Sequence, residues 1–142
     1  MYNKLLNDLK RDEGFRSHVY KDSEGHDTIG YGCLLSNGIS EKAATELLYV
    51  QMIEHLEELK KWMEKQGMLL HSYPEPVRVA LGNMAFNLGI PRLSKFKKMW
   101  AAIKKEDYVE ASKEALDSVW AKQVGERAIR ISKLFLEVVQ FK

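Results

Sequence analysis

The sequence predicts an α+β fold in which a small N-terminal antiparallel β-sheet lobe is joined by a long helix to a larger C-terminal helical lobe. Strand-forming residues separated by turn-prone glycines cluster between about residues 15 and 35. A long apolar stripe at helical spacing follows, and further helical stripes fill the rest of the chain without a repeat or linker. A chain of 142 residues suits one domain. We expect a small lobe over about 13–60 and a helical lobe over about 61–142 that includes the N-terminal helix, 1–12.

The N-terminal half is predicted to contain a short helix, the sheet and the long helix. Leucines at helical spacing predict a helix over residues 3–12, with Glu13 at its end. Ser40 is expected to cap the long helix, which covers about 41–66. Its apolar stripe consists of Leu48, Met52, Leu56, Leu59 and Met63.

The C-terminal half is predicted to be a helical bundle around one central helix. That helix follows Pro74 and Pro76 and ends at Gly89. Its expected core residues are Val77, Ala80, Leu81, Met84, Ala85 and Leu88.

The chain after the central helix is expected to form three more helices. Ser94 should cap a helix that continues through Lys105, and a second covers residues 107–117. Trp120 is expected to begin a short link, and the last helix runs over residues 127–139.

Composition argues against several classes of protein. The N-terminus lacks the apolar run of a signal peptide or membrane anchor, so we expect a product made in the cytoplasm. Cys33 is the only cysteine, which excludes an intramolecular disulfide and a zinc site of paired cysteines. The histidines lack the spacing of two ligands on one helical face, so we expect no metal and no cofactor. The histidines are His18, His26, His55 and His71.

A group of lysines makes the C-terminal part mildly basic. Such a group suits an anionic polymer such as cell wall or nucleic acid. No nucleic-acid motif accompanies it, so we interpret it as a solvated helix face and expect no nucleic-acid partner. The lysines are Lys95, Lys97, Lys98, Lys104 and Lys105.

Three N-terminal side chains together suit glycoside hydrolysis. Glu13 lies at a helix end, Asp22 in a turn and Thr28 on a strand. Two carboxylates can supply an acid and a base, and a hydroxyl can orient a water molecule. Singly, each has an ordinary interpretation as a helix-end acid, a turn aspartate or a strand threonine. Their combination with flanking glycines and tyrosines favours the catalytic hypothesis.

Three separate regions of the chain carry a further signal: the first consists of residues 12–14, 20–22, 25, 28–32 and 34–35, the second of 78–89 and the third of 120–130. They resemble the T4-type phage lysozymes, which are endolysins of glycoside hydrolase family 24. The resemblance implies a lysozyme-like fold and a muramidase that cleaves the β-1,4 bond between N-acetylmuramic acid and N-acetylglucosamine in peptidoglycan, with inversion. This sequence is shorter than the family pattern between about residues 36 and 73. Cys33 stands where the family usually has histidine, and we expect it to be a small packed residue.

The resemblance also implies roles for individual residues. Glu13 would be a partly buried general acid, Asp22 the ionised partner that activates water, and Thr28 the residue that holds this water. Residues expected to bind substrate are Tyr31, Asn87 and Arg127, of which Arg127 matches an arginine that neighbours the acid in the family. Asn83 is expected to make a structural hydrogen bond.

Two other functions remain open from the sequence. A lytic transglycosylase would act on the same bond without adding water, and a non-catalytic domain would only bind the cell wall. For the muramidase we expect a monomer that lyses the host cell from the cytoplasm, with peptidoglycan as its substrate and no stable membrane association. A separate holin would permeabilise the membrane without contacting it.

Overall fold

The N-terminal helix ends at the residue that the sequence predicts. The structure is a computed structural model that describes residues 1–140. Helix α1 covers Tyr2–Glu13, and Gly14 follows with a φ of 70°. Glycine adopts this left-handed conformation without the steric cost that a Cβ would add. The chain therefore turns immediately after Glu13.

A small sheet follows, as predicted. Strand β1 covers Arg16–Lys21, β2 covers Asp27–Gly30 and β3 covers Cys33–Leu34. The sheet is antiparallel, with the order β1-β2-β3. Thr28 is paired with Tyr20 on one side and Leu34 on the other, so it lies on the central strand.

The long helix is present, but only the C-terminal part of its apolar stripe is buried. Helix α2 covers Glu41–Lys65, and the Ser40 hydroxyl accepts a hydrogen bond from the Ala43 N–H at 3.1 Å. This contact confirms the predicted cap. Leu59 and Met63 are buried, whereas Leu48 is 52% exposed and Met52 38% exposed.

Helix α3 provides the centre of the core. It covers Glu75–Leu88, and all the core residues predicted for it are buried. A Cβ placed on Gly82 would lie 3.0 Å from Leu56 Cδ2. The glycine therefore allows the Leu56 side chain of α2 to approach the backbone of α3 closely.

Between the end of α3 and residue 140, the chain contains two more helical segments than predicted. Helix α4 covers Ile90–Leu93, and α7 covers Val119–Val124, with Trp120 inside it. The prediction that Trp120 begins a link is wrong. Ser118 caps α7 by accepting the Ala121 N–H at 3.1 Å, and helix propensity is too weak to show so short an element in the sequence.

Helix α5 begins later than predicted. It covers Lys97–Lys104 and has no side-chain cap. The predicted cap, Ser94, instead donates its hydroxyl to the Pro91 carbonyl at 2.9 Å. This local bond removes the hydroxyl from the helix start.

The last two long helices lie close to their predicted positions. Helix α6 covers Tyr108–Leu116, with Asp107 as its cap, and α8 covers Glu126–Gln140. Both pack in the core, where Phe135 of α8 is fully buried. Elsewhere in the helical unit, the ring centroids of Trp62 on α2 and Trp100 on α5 lie 4.7 Å apart, with an angle of 55° between the ring planes.

The contacts divide the chain into two compact units. The sheet unit covers Met1–Leu47, and the helical unit begins at Leu48. Helix α2 starts in the first and continues in the second. The predicted lobe boundaries near residue 60, and the assignment of the first helix to the helical lobe, stay predictions. Of the helices within residues 1–140, none has the length and apolar character needed to cross a membrane.

Candidate active site

Glu13 and Gly32 lie in direct proximity in the sheet unit. Glu13 ends α1, and Gly32 follows β2 with a φ of 74°. A Cβ at Gly32 would be only 2.6 Å from Glu13 Oε2, which is closer than Cβ atoms come to other heavy atoms in proteins. A side chain at this position would therefore force the end of the Glu13 side chain to move. Glu13 itself is exposed, so the expectation that it is partly buried is wrong for this structure, because α1 buries none of its residues.

Asp22 is held by the backbone of its own turn. One carboxylate oxygen, Oδ1, accepts hydrogen bonds from the His26 N–H at 2.8 Å and from the Glu24 N–H at 2.9 Å. The Asp22 N–H in turn donates to the His26 carbonyl at 2.9 Å. Because Oδ1 is occupied, Oδ2 is the oxygen available to other groups.

The same bonds keep Asp22 ionised. The backbone N–H of His26 is the largest cause of a pKa below the ordinary aspartate value, and the N–H of Glu24 also lowers it. Partial desolvation opposes them, and the nearby imidazole of His26 contributes a further lowering. Hydrogen bonds to a carboxylate favour its charged form. Asp22 is therefore an acceptor rather than an acid over the range in which most proteins work.

Thr28 lies beside this turn on the central strand. Its side chain is 2% exposed, and its hydroxyl donates to the His26 carbonyl at 2.9 Å. Since the hydroxyl proton is committed to this carbonyl, the oxygen has only lone pairs to offer another group. Thr28 and Asp22 are thus both hydrogen-bond acceptors fixed to one backbone segment, at His26.

Tyr31 has the exposure expected of a ring that could contact a sugar. It is 45% exposed and lies 5.5 Å from the Phe15 ring, measured between centroids. The Lys10 ammonium is 5.9 Å from the Tyr31 ring centre. These contacts hold the ring on the surface of the sheet unit, and its role in binding substrate stays a prediction.

Cys33 is exposed, so the prediction that it is a packed residue is wrong. It pairs with Ile29 at the edge strand β3. Edge positions of a short sheet are covered only where another element packs on them. Within residues 1–140, no group of histidine, cysteine and acidic side chains is arranged to hold a metal ion.

Two further candidate residues form a pair in the helical unit. Arg127 Nε donates to the Asn83 side-chain oxygen at 2.8 Å, and a second nitrogen, Nη2, reaches the Asn83 backbone carbonyl at 3.4 Å. The structural hydrogen bond predicted for Asn83 is confirmed. This bond ties α8 to α3 and fixes the direction of the guanidinium.

One end of the Asn87 side-chain amide is already hydrogen-bonded. Its side-chain oxygen accepts a hydrogen bond from the Trp120 Nε1–H at 2.7 Å. The residue is exposed, and the orientation set by Trp120 leaves the amide NH₂ group to donate outward. A carbonyl or hydroxyl oxygen of a ligand is the natural acceptor for such a group.

A groove of about 870 Å³ lies next to the Asn83–Arg127 pair within the helical unit. It runs between α2 and α3, and its apolar walls include the exposed part of the α2 stripe. The apolar stripe in the sequence predicts that these α2 residues share one face of the helix, but it does not show that this face lines an open groove. The apolar lining consists of Leu48, Met52, Leu56, Leu70, Val79 and Phe86.

Gly32 and His26 lie close to the candidate catalytic residues, but the sequence alone does not suggest a role for either. Gly32 was part of a recognised motif, but its contact with Glu13 depends on how α1 and the sheet fold together. The sequence does not distinguish His26 from the other scattered histidines, although its position four residues after Asp22 is compatible with closing a turn. Its Nδ1 lies 3.7 Å from Asp22 Oδ2. The structure therefore adds both residues to the candidate site.

The chain is similar to known proteins over most of its length. A family model described as "Phage lysozyme" matches residues 10–133, which includes Glu13, Asp22, Thr28 and Arg127. The chain is 27% identical to "Probable T4-type lysozyme 2" of Dictyostelium discoideum, over 95% of each chain. It is 26% identical to "Probable T4-type lysozyme 1" of the same organism, over 92% of each.

A longer relative is the "Pre-baseplate central spike protein Gp5" of Enterobacteria phage T4. The identity is 29%, and the match covers 90% of this chain but only 27% of the spike protein. The similarity therefore concerns one part of that larger protein. The family match extends over most of the chain, so its function is that of a lysozyme-like glycosidase, and the chain belongs to the phage lysozyme family.

Proposed function

We propose that the protein is a muramidase that hydrolyses the β-1,4 bond between N-acetylmuramic acid and N-acetylglucosamine in peptidoglycan, with inversion. The observation that carries the proposal is the Asp22 turn. Its backbone bonds keep one carboxylate ionised and leave Oδ2 open, next to a threonine that offers only lone pairs.

This pair of acceptors suits the activation of a water molecule. A water that donates one hydrogen to Thr28 Oγ1 and the other to Asp22 Oδ2 keeps its lone pair free to attack the anomeric carbon. Asp22 then takes the proton from the water, and its negative charge offsets the positive charge that develops on the sugar ring. A water that orients in this way supports hydrolysis by direct displacement.

Glu13 is the proposed general acid that protonates the departing oxygen. It is exposed in the free protein, so a bound saccharide must supply the desolvation that favours a neutral carboxyl group. Gly32 holds the space in which the Glu13 carboxylate lies. In the proposed mechanism, the acid is positioned by the protein and dehydrated by its substrate.

Contacts to the saccharide are proposed for Tyr31, Asn87 and Arg127. The Tyr31 ring offers an apolar surface, and the Asn87 amide can donate to an N-acetyl carbonyl. Arg127, held by Asn83 at 2.8 Å, offers its remaining N–H groups. These assignments rest on exposure and hydrogen-bond capacity.

The acid assignment is tested by Glu13→Gln. The amide cannot donate a proton as an acid, so release of reducing ends from purified peptidoglycan should fall at least a hundredfold. The thermal melt should stay unchanged, because Glu13 is an exposed residue. Glu46→Gln is the control, since it makes the same change at an exposed position on α2 and should keep full activity. Activity in Glu13→Gln near that of the control would overturn the assignment.

The products test the reaction type in the same assay. NMR of the first anomer formed should show α configuration, and a β product would contradict inversion. Mass spectrometry should show hydrated reducing ends. Anhydro ends would instead identify a lytic transglycosylase.

The biological role that we propose is host-cell lysis by a monomer that acts on the wall after a separate holin permeabilises the membrane. The family membership supports this role. Expression in bacteria should leave cultures intact until a holin is co-expressed. Lysis by the enzyme alone would contradict the proposed route to the wall.

A further inference from the structure

His26 places an imidazole against the open oxygen of the proposed base. Its Nδ1 lies 3.7 Å from Asp22 Oδ2 and 3.8 Å from Glu24 Oε2. The other Asp22 oxygen, Oδ1, is already bonded to two backbone N–H groups. The imidazole therefore faces the same oxygen that the proposed mechanism assigns to water.

The structural role of His26 belongs to its backbone and not to its side chain. The backbone N–H and carbonyl of His26 make the bonds to Asp22 and Thr28, whereas the imidazole is exposed and lies at the surface of the turn. A change of side chain should therefore leave the turn intact. What it alters is the charge next to Asp22.

The charged groups near His26 come from its own turn and from the two flanking strands. Asp22 and Glu24 belong to the same turn, and the flanking strands β1 and β2 contribute Lys21 and Asp27. Lys21 Nζ and Asp27 Oδ1 are paired with each other at 2.6 Å. The two carboxylates of the turn are thus the ionic contacts that an imidazolium at His26 would have.

We propose that His26 is a positioning residue that acts through Asp22: its charged form pairs with Asp22 Oδ2 and slows hydrolysis, and its neutral form releases that oxygen. The proposal rests on the proposed function of Asp22. A cation at this distance weakens the carboxylate as a base and cancels part of the negative charge offered to the sugar. Asp22 stays ionised in either state through its backbone hydrogen bonds.

The direction of the pH effect follows from this arrangement. Histidine is the side chain whose charge ordinarily changes across the neutral range. Acidification charges the imidazole and restrains Asp22, while a rise in pH removes the restraint. The enzyme should consequently gain turnover on the alkaline side of the histidine titration, in addition to any effect of the general acid.

The test compares pH profiles of kcat on purified peptidoglycan for the wild type, His26→Gln and His26→Lys. At acidic pH, His26→Gln should exceed the wild type by about fivefold, the effect of one unit charge some 4 Å away in water. At alkaline pH the two should converge. His26→Lys carries a permanent cation and should be slower than His26→Gln at every pH.

His18→Gln is the matched control, because His18 is an exposed histidine on β1 that hydrogen-bonds Ser17 rather than the Asp22 turn. Its profile should follow the wild type. If the ratio of His26→Gln to wild type is the same at every pH, His26 has only a structural role and the proposal is wrong.

NMR of the Asp22 side-chain carboxyl carbon provides a measurement that needs no turnover. Its chemical shift in the wild type should differ between acidic and alkaline buffer as the neighbouring imidazole gains or loses its charge, and this difference should be smaller in His26→Gln. An equal difference in both proteins would overturn the coupling. If the wild type does not hydrolyse peptidoglycan, the proposed function fails while the NMR comparison still decides the coupling. If it does and the two proteins show equal differences, only the His26 proposal fails.

Discussion

Backbone features determine the immediate surroundings of Glu13 and Asp22. Gly32 leaves room for the Glu13 carboxylate, and two N–H groups orient the Asp22 carboxylate. Backbone groups are held by the fold and carry no side-chain entropy of their own. This arrangement makes the positions of both carboxylates depend on turn conformation, so substitutions at turn residues should affect activity without touching an ionisable group.

Gly32→Ala is the sharpest test of this dependence. The added methyl group would lie 2.6 Å from Glu13 Oε2, so the carboxylate has to move. We expect peptidoglycan hydrolysis to fall more than tenfold. The positive φ also costs about 1–2 kcal/mol of unfolding free energy for an L residue.

Gly38→Ala separates these two effects. Gly38 has a similar φ of 69°, and a Cβ added there would have no neighbouring atom within 4 Å. Gly38→Ala should also lose stability in a urea titration, because of its positive φ, but should show little loss of activity. Equal activity losses in both variants would show that backbone strain, not the displacement of Glu13, is responsible.

At this scale the sequence indicates candidate residues but not their contacts. Glu13, Asp22 and Thr28 are recognisable by residue type and by their place at a helix end, a turn and a strand. The approach of Gly32 to Glu13 and of His26 to Asp22 depends on distances that no spacing rule contains. The exposure of Cys33 and of Glu13 likewise depends on which elements cover them, and both expectations were wrong.

Among the elements, the helix starts show why some boundaries are predictable. Ser40, Asp107 and Ser118 each accept a backbone N–H at the start of a helix. Ser94 looks equivalent in sequence, but its hydroxyl donates to Pro91 instead. A possible capping residue is recognisable from its type. Whether its side chain bonds to the N–H groups of the following helix or to a preceding carbonyl depends on the local backbone conformation.

Asp107→Ala should remove a real cap. Asp107 Oδ1 accepts the Glu110 N–H at 3.1 Å at the start of α6. Loss of this bond should lower the unfolding free energy by about 0.5–2 kcal/mol, measured by urea titration. Asp117→Ala makes the same change at the other end of α6, where the acid faces the negative end of the helix, and should not destabilise. The prediction fails if the two variants are equally stable.

For the whole molecule, burial is concentrated in the helical unit. Each core residue predicted for α3 is buried, because a stripe on a helix between other helices has few alternative environments. The α2 stripe was equally regular, yet Leu48 and Met52 are partly exposed. Periodicity identifies the apolar face of a helix, but tertiary packing determines how much of that face is covered.

Phe135→Ala and Leu48→Ala should therefore differ widely. Phe135 is fully buried on α8, and its truncation leaves a cavity that should cost about 3–5 kcal/mol of unfolding free energy. Leu48 is 52% exposed, so its truncation should cost less than about 1 kcal/mol. Urea unfolding followed by circular dichroism at 222 nm measures both. Similar losses would show that Leu48 is covered in solution.

The tryptophans of the chain all lie in the helical unit. Trp62 and Trp100 form one ring pair and Trp120 is bonded to Asn87, and the three account for the chain's total. The sheet unit, which carries Glu13, Asp22 and Thr28, has none. Indole fluorescence consequently reports on one unit and is silent about the other. A preparation can retain native emission after its proposed catalytic residues have lost their arrangement, so an emission spectrum does not certify an active enzyme.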